Sequence, residues 1–97
     1  MPAKRVDGNQ SEIVSLIRQL GGEWIDTSAD PRSGCDGVIA YHGRNIVAEI
    51  KNGSLPPSAR KLTENELKTK AKCDRAGAPY LILTSIDDVI EALKEFR

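Results

Sequence analysis

The sequence contains no apolar run long enough to cross a membrane. The longest runs, at positions 38–41 and 80–83, are only four residues each, whereas a membrane-spanning helix needs about 20 apolar residues. The N-terminal stretch MPAKRVDGNQSE is too polar for a signal peptide. We therefore expect no membrane partner, and we expect the protein to stay in the cytoplasm.

Cysteine and histidine are scarce. The two cysteines, Cys35 and Cys73, are far apart and form no CxxC pair, and His42 is the only histidine. A structural zinc site usually takes four such ligands, often in closely spaced pairs. The composition therefore argues against structural zinc, and reduced thiols are a simpler prediction than a disulfide.

Net charge is zero, because 14 basic residues balance 14 acidic ones. A zero balance gives no global reason to expect a polyanionic partner. The charges are nevertheless unevenly distributed, since residues 51–75 have a net charge of +4. The basic residues of this segment are Lys51, Arg60, Lys61, Lys68, Lys70, Lys72 and Arg75, against Glu64, Glu66 and Asp74.

The pattern of apolar residues predicts one domain, 1–97, with the element order αβββαβα and a flexible arm at 1–8. Apolar residues at 13, 16, 17 and 20 have the spacing of an amphipathic helix. Strands are predicted at 23–27, on both sides of a hairpin at 34–51, and at 80–84. Thr63 and Glu66 form a capping-box pattern that opens a second helix, and a third follows at 86–96. The continuously apolar strand 80–84 is predicted to be covered on both faces.

The hairpin, GCDGVIAYHGRNIVAEIK, is the centre of the chain. With a two-residue turn at 43–44, Asp36, Glu49 and Lys51 share one face of the strands. Asp36 and Glu49 are then diagonal neighbours, roughly 7–8 Å apart at the backbone. The opposite face is a predicted core face that carries Ile39, Tyr41, Ile46, Ala48 and Ile50.

Two carboxylates at this spacing can converge on one hard cation. Mg²⁺ prefers oxygen ligands and usually takes one or two carboxylates, with water and substrate phosphate completing its shell. Asp36, Glu49 and the backbone carbonyl of Ile50 would supply such a site. Lys51 would orient an attacking water or stabilise negative charge, and Glu12 on the first helix would reach the ion through water.

Plainer interpretations of the same residues remain open. Asp-Gly at 36–37 is a common turn dipeptide, and Glu49 with Lys51 fits an ordinary solvent-facing alternation. Lys68 and Lys72 fit a solvated helix face, whereas Arg60 and its neighbour at 61 lie in a loop that invites a phosphate.

The combination resembles the PD-(D/E)xK nuclease superfamily. Asp36 is followed, after twelve residues, by Glu49-Ile50-Lys51, and a helix with Glu12 precedes them. The predicted order contains the αβββαβ core of that superfamily. The segment PPSARKLT at 56–63 is similar to small stand-alone phage and prokaryotic members near the VRR-NUC and Holliday-junction-resolvase branches.

The resemblance implies a restriction-endonuclease-like α/β fold with a mixed sheet and a C-terminal helix. It implies hydrolysis of DNA phosphodiester bonds with Mg²⁺ or Mn²⁺, on a branched or junction-type substrate by analogy, in a prokaryotic or phage-infected cell. Asp36, Glu49 and Glu12 would match the metal-site residues, and Lys51 would match the catalytic lysine. A homodimer is expected, because related enzymes are often homodimers.

DNA would be held by the basic segment, through Arg60, Lys61, Lys68 and Lys72. Two departures from the family pattern are visible: Cys35 stands where proline is usual, and Glu66 stands near a position where VRR-NUC members usually have glutamine. Two other functional classes stay open. One is a catalytically inactive nucleic-acid-binding module of the same fold, and the other is a small regulatory subunit that uses this surface for protein contact.

Overall fold

A computed structural model describes residues 9–97, so the predicted arm at 1–8 lies outside the described residues. The described chain is an α/β structure with three helices and a four-stranded open mixed sheet. The predicted order αβββαβα is confirmed. The elements are α1 Gln10–Gln19, β1 Glu23–Asp26, β2 Gly37–Tyr41, β3 Arg44–Ile50, α2 Glu64–Ala76, β4 Tyr80–Leu83 and α3 Ile86–Lys94. None of these helices is long and apolar enough to cross a membrane.

The strands lie side by side in the order β1-β2-β3-β4. The first three are antiparallel neighbours, and β4 runs parallel to β3 after a crossover that contains α2. A short 3₁₀ helix, Pro57–Arg60, lies in the crossover, at the loop predicted around Arg60. This topology brings three strand ends to the same side of the sheet: the last residues of β3 and β4 and the first residue of β2.

The hydrophobic core lies between one face of the sheet and the helices α1 and α3. The predicted core face is confirmed, because all five of its side chains are buried. Isoleucines of α1 and the inward residues of α3 complete this layer. The buried apolar residues are Ile13, Ile17, Ile39, Tyr41, Ile46, Ala48, Ile50, Leu83, Val89 and Leu93.

The hairpin turn lies one residue earlier than predicted. Tyr41 pairs with Arg44, so the two turn residues are His42 and Gly43, not Gly43 and Arg44. Both have positive φ, 49° and 77°, as the type I′ turn favoured in hairpins requires. The displaced turn shifts the strand pairing by two positions, and Val38 faces Val47. Because side chains alternate with a period of two, every side chain within β2 and β3 keeps its predicted face.

The prediction that strand 80–84 is covered on both faces is wrong. β4 is an edge strand, and Ile82 is 40% exposed although Leu83 is buried. The helix α2, which follows β3, contributes no buried residue. An apolar run indicates a strand, but it does not show whether a helix covers the second face.

Candidate active site

Asp36 lies in a bend immediately before β2. Its backbone N–H donates to the carbonyl of Ala48 at 3.1 Å. Its carboxylate Oδ2 accepts a hydrogen bond of 2.8 Å from the N–H of Ile50. The side chain therefore takes the place of a strand partner at the end of β3, and this bond holds one carboxylate oxygen against the backbone.

Glu49 is the only buried charged side chain among residues 9–97, with 3% of the residue exposed. Its Oε2 lies 3.5 Å from Nζ of Lys51, whereas its buried Oε1 has no hydrogen-bond partner. Burial, together with Glu66 and Asp36 beside it, raises the pKa of Glu49 to about 9. The alternative that Glu49 faces solvent is therefore wrong.

Lys51 directly follows β3, and its backbone connects the end of β3 to the end of β4. Its backbone N–H donates to the carbonyl of Leu83 at 3.0 Å. Its ammonium is 2.9 Å from Oε1 of Glu66 and 3.5 Å from Oε2 of Glu49, and only 15% of the side chain is exposed. Burial opposes the charge, but Glu66 and Glu49 outweigh it and raise the pKa of Lys51.

Glu66 performs two tasks with one carboxylate oxygen. It completes the predicted capping box of α2, because its Oε1 accepts from the N–H of Thr63 at 2.8 Å. The same Oε1 accepts from Lys51. Burial opposes the charge of Glu66, but the Thr63 N–H and the Lys51 ammonium lower its pKa. Sequence reasoning found the cap and missed the contact with Lys51, which spans the crossover.

Side-chain donors of α2 and β4 hold the segment before Asp36. Asn65 and Thr69 of α2 donate to loop carbonyls at 2.7 and 3.3 Å. The hydroxyl of Tyr80 donates to the carbonyl of Gly34 at 2.9 Å, and burial raises the pKa of Tyr80, which keeps the donor protonated. These bonds bring the loop and the start of α2 over Glu49, and they account for its burial.

A cavity of about 90 Å³ lies where these elements meet. Since one water takes up about 30 Å³, the cavity has room for a cation with one or two waters. Its acidic lining residues are Asp30, Asp36, Glu49 and Glu66, and its polar ones include Ser33, Thr63 and Asn65.

The donor atoms of this cavity fit Mg²⁺ or Mn²⁺, which prefer carboxylate and water oxygens. Oε1 of Glu49 is a buried oxygen with no hydrogen-bond donor beside it, so it is available as a ligand atom. Within residues 9–97 no three His, Cys, Asp or Glu side chains are already arranged around one metal position. Asp36 and Glu49 would therefore be the side-chain ligands, with water and substrate supplying others, and the backbone carbonyl of Ile50 stays a predicted ligand.

Glu12 lies apart from this cavity. It is exposed on the first turn of α1 and lines a separate groove of about 600 Å³, together with Asn9 and Asn52. The groove and the site are connected through Asn9, whose side chain donates to the backbone carbonyls of Lys51 and Thr84 at 3.2 and 3.0 Å. A role of Glu12 through water stays a prediction.

The predicted DNA-binding residues lie on the 3₁₀ helix and on α2. Arg60 is half-buried, and its Nε has no hydrogen-bond partner. Lys61 and Lys72 are exposed. Lys68 is also exposed and lies 3.5 Å from Glu64 on the same helix face. The solvated-face interpretation thus fits Lys68 and Lys72, whereas Arg60 has a buried donor without a partner.

No protein-family model, no curated protein and no solved structure matches this chain. The function is therefore inferred from its own residues.

Proposed function

We propose that this protein is a metal-dependent endonuclease that hydrolyses phosphodiester bonds in DNA. The observation that carries the proposal is the meeting of Asp36 and Glu49 at one small cavity, with Lys51 3.5 Å from Glu49 and with Oε1 of Glu49 buried beside no hydrogen-bond donor. A buried carboxyl oxygen without a partner destabilises the fold. A cation that binds there would offset this cost.

Each residue has a distinct task in the proposed reaction. Asp36 and Glu49 would hold Mg²⁺ or Mn²⁺, and the carboxylate of Asp36 is oriented for this by the Ile50 N–H. The bound ion would supply a water of lowered pKa and offset charge on the phosphorus. The ammonium of Lys51, beside the carboxylates, would donate a hydrogen bond to the attacking water or to the developing negative charge.

The fold family is part of the proposal. The element order, the mixed four-stranded sheet and the spacing of Asp36 from Glu49 and Lys51 support a restriction-endonuclease-like fold. We propose branched or junction DNA as the substrate, and this part rests only on analogy with the nuclease superfamily that the sequence resembles. A homodimer is proposed on the same basis.

One observation favours an inactive DNA-binding module as the second candidate. Lys51 already donates to Glu66 at 2.9 Å, so one of its three N–H donors is used before any substrate binds. A protein that kept the fold and lost turnover would bind DNA through its basic segment and leave this ion pair intact.

The deciding experiment measures cleavage of supercoiled and branched DNA with Mn²⁺ by the wild type, Asp36→Ala and Lys51→Ala. We expect metal-dependent cleavage by the wild type and a loss of at least about 100-fold in both variants, comparable to the removal of one transition-state donor. Lys94→Ala, which removes an exposed lysine of α3 that is paired with Glu91, is the control and should cleave normally.

The other outcomes separate the candidates. Binding without cleavage at any metal concentration would favour the inactive module. No affinity for DNA at low salt would exclude both and leave the protein-contact class. Wild-type rates in Asp36→Ala would contradict the proposed site.

Salt dependence tests the proposed DNA-binding residues. Removing a side chain that binds one phosphate lowers the slope of log K against log salt by about 1, without changing sequence preference. We expect this reduction for Lys61→Ala and for Arg60→Ala in fluorescence-anisotropy titrations of labelled DNA. Lys94→Ala, on the opposite layer of the sheet and paired with Glu91, is the control. Unchanged salt slopes in Lys61→Ala and Arg60→Ala would show that these two residues do not contact DNA phosphates.

A further inference from the structure

Lys51 is shared unequally between two carboxylates. Its ammonium lies 2.9 Å from Glu66 and 3.5 Å from Glu49. The side chains of Lys51, Glu66 and Glu49 are 15%, 15% and 4% exposed, so solvent screens their interactions weakly. The shorter contact goes to an oxygen that the Thr63 N–H also holds. The lysine is therefore bound firmly to the start of α2 and loosely to Glu49.

A divalent cation at Asp36 and Glu49 would compete with this lysine. Both positive charges attract the carboxylate of Glu49, and they repel each other. Glu66 lines the same cavity but belongs to α2, and its carboxylate lies 2.9 Å from the ammonium. Its charge compensates Lys51 without using either of the two proposed ligands.

We propose that Glu66 positions Lys51: it retains the ammonium at the start of α2, so that Glu49 is left to bind a divalent cation with Asp36. This inference rests on the proposed metal site. Without the charge of Glu66, Glu49 becomes the nearest remaining partner of Lys51. The ammonium then moves toward Glu49 and blocks the cation.

The inference predicts opposite effects for two single variants on Mn²⁺ affinity. Glu66→Gln should weaken binding about tenfold, because Lys51 loses its charged partner and shifts to Glu49. The glutamine oxygen still accepts from the Thr63 N–H, so the helix cap is preserved. Lys51→Met should tighten binding about tenfold, because it removes the competing charge. Tenfold corresponds to about 1.4 kcal/mol, within the usual range for coupled neighbours.

The double variant Glu66→Gln/Lys51→Met shows whether Glu66 acts by positioning Lys51 or only by adding negative charge near the cation. If Glu66 acts through Lys51, Glu66→Gln should change Mn²⁺ affinity less than about threefold in the Lys51→Met background. If Glu66 only adds negative potential, it should weaken binding equally in both backgrounds, and that result would overturn the inference. Glu64→Gln is the matched control, since it removes the same charge from the same helix turn at an exposed position paired with Lys68. Its affinity should stay within about twofold of wild type.

Affinity is measured on the full chain without DNA, from the electron paramagnetic resonance signal of free Mn²⁺. Thermal unfolding checks each variant, and Lys51→Gln replaces Lys51→Met if the latter does not fold. Cleavage without the predicted coupling would refute the inference and leave the nuclease proposal standing. Coupled Mn²⁺ binding without cleavage would support the inference and refute the nuclease proposal. No Mn²⁺ binding by the wild type would overturn both.

Discussion

Glu49→Gln is expected to abolish DNA cleavage and, in the same variant, to stabilise the metal-free protein at alkaline pH. Glutamine has nearly the shape of glutamate, so the buried site keeps its packing. It is a weak ligand for a hard cation, however, because it lacks the charge. We expect the cleavage rate to fall by more than the roughly 10–100-fold that the loss of an outer-shell partner costs.

The gain in stability follows from the pKa of Glu49, which rises from its ordinary value of 4.5 to about 9 in the fold. Between these values the folded state binds the proton more tightly than the unfolded state does. The stabilisation is therefore complete below about pH 4.5 and is lost as the pH rises toward 9. One such proton changes the free energy of unfolding by up to about 1.4 kcal/mol per pH unit.

Chemical denaturation in EDTA between about pH 5 and 9 measures this effect. The stability of Glu49→Gln relative to wild type should grow with pH and exceed about 1 kcal/mol at about pH 8. Glu64→Gln, an exposed change of the same charge, should follow the wild-type curve. Parallel curves for wild type and Glu49→Gln would show that Glu49 is not protonated in the metal-free site, and cleavage by Glu49→Gln would exclude it as a ligand.

Gly34→Ala is expected to be the most destabilising single-methyl change in the loop before Asp36. Gly34 has φ +66°, and a Cβ there would collide with Oγ1 of Thr69 and lie 2.8 Å from the carbonyl oxygen of Asn65. The left-handed conformation costs about 1–2 kcal/mol for alanine, and overpacking adds about 1–3 kcal/mol. A total of about 3 kcal/mol is a large share of the stability of a small domain.

Gly43→Ala separates the two contributions. Gly43 also has positive φ, +77°, but no atom lies within 4 Å of the position that the added methyl group would take. The variant should therefore lose only the conformational part, about 1–2 kcal/mol. Urea denaturation of both variants gives the comparison, and the difference reports how closely the loop contacts α2. Equal losses would mean that the loop moves away from α2 without cost.

Cleavage adds a second readout for the same pair. Since Gly34 precedes Cys35 and Asp36, a displaced loop should move the Asp36 carboxylate from Ile50 and reduce cleavage even where Gly34→Ala remains folded. The turn at Gly43 lies at the other end of the hairpin, so Gly43→Ala should cleave DNA at the wild-type rate.

The order of elements and the buried face of the hairpin could be predicted from local patterns. The alternation that places Ile39 and Ile46 in the core also places Glu49 and Lys51 together on the other face. An error in the turn left this result intact, because it shifted the pairing by two positions, the period of a strand. The cap at Thr63 was also predictable, because a capping box involves only residues that are close in sequence.

Only the tertiary structure decided which of these residues are buried and what they contact. Glu49 is enclosed because the loop before Asp36 and the start of α2 fold over it, and Lys51 meets Glu66 across the crossover. Ile82 is exposed because α2 leaves part of that face open. Strand periodicity specifies the face of a side chain, but burial and ion pairing depend on segments distant in sequence, whose positions are set by packing of the whole chain.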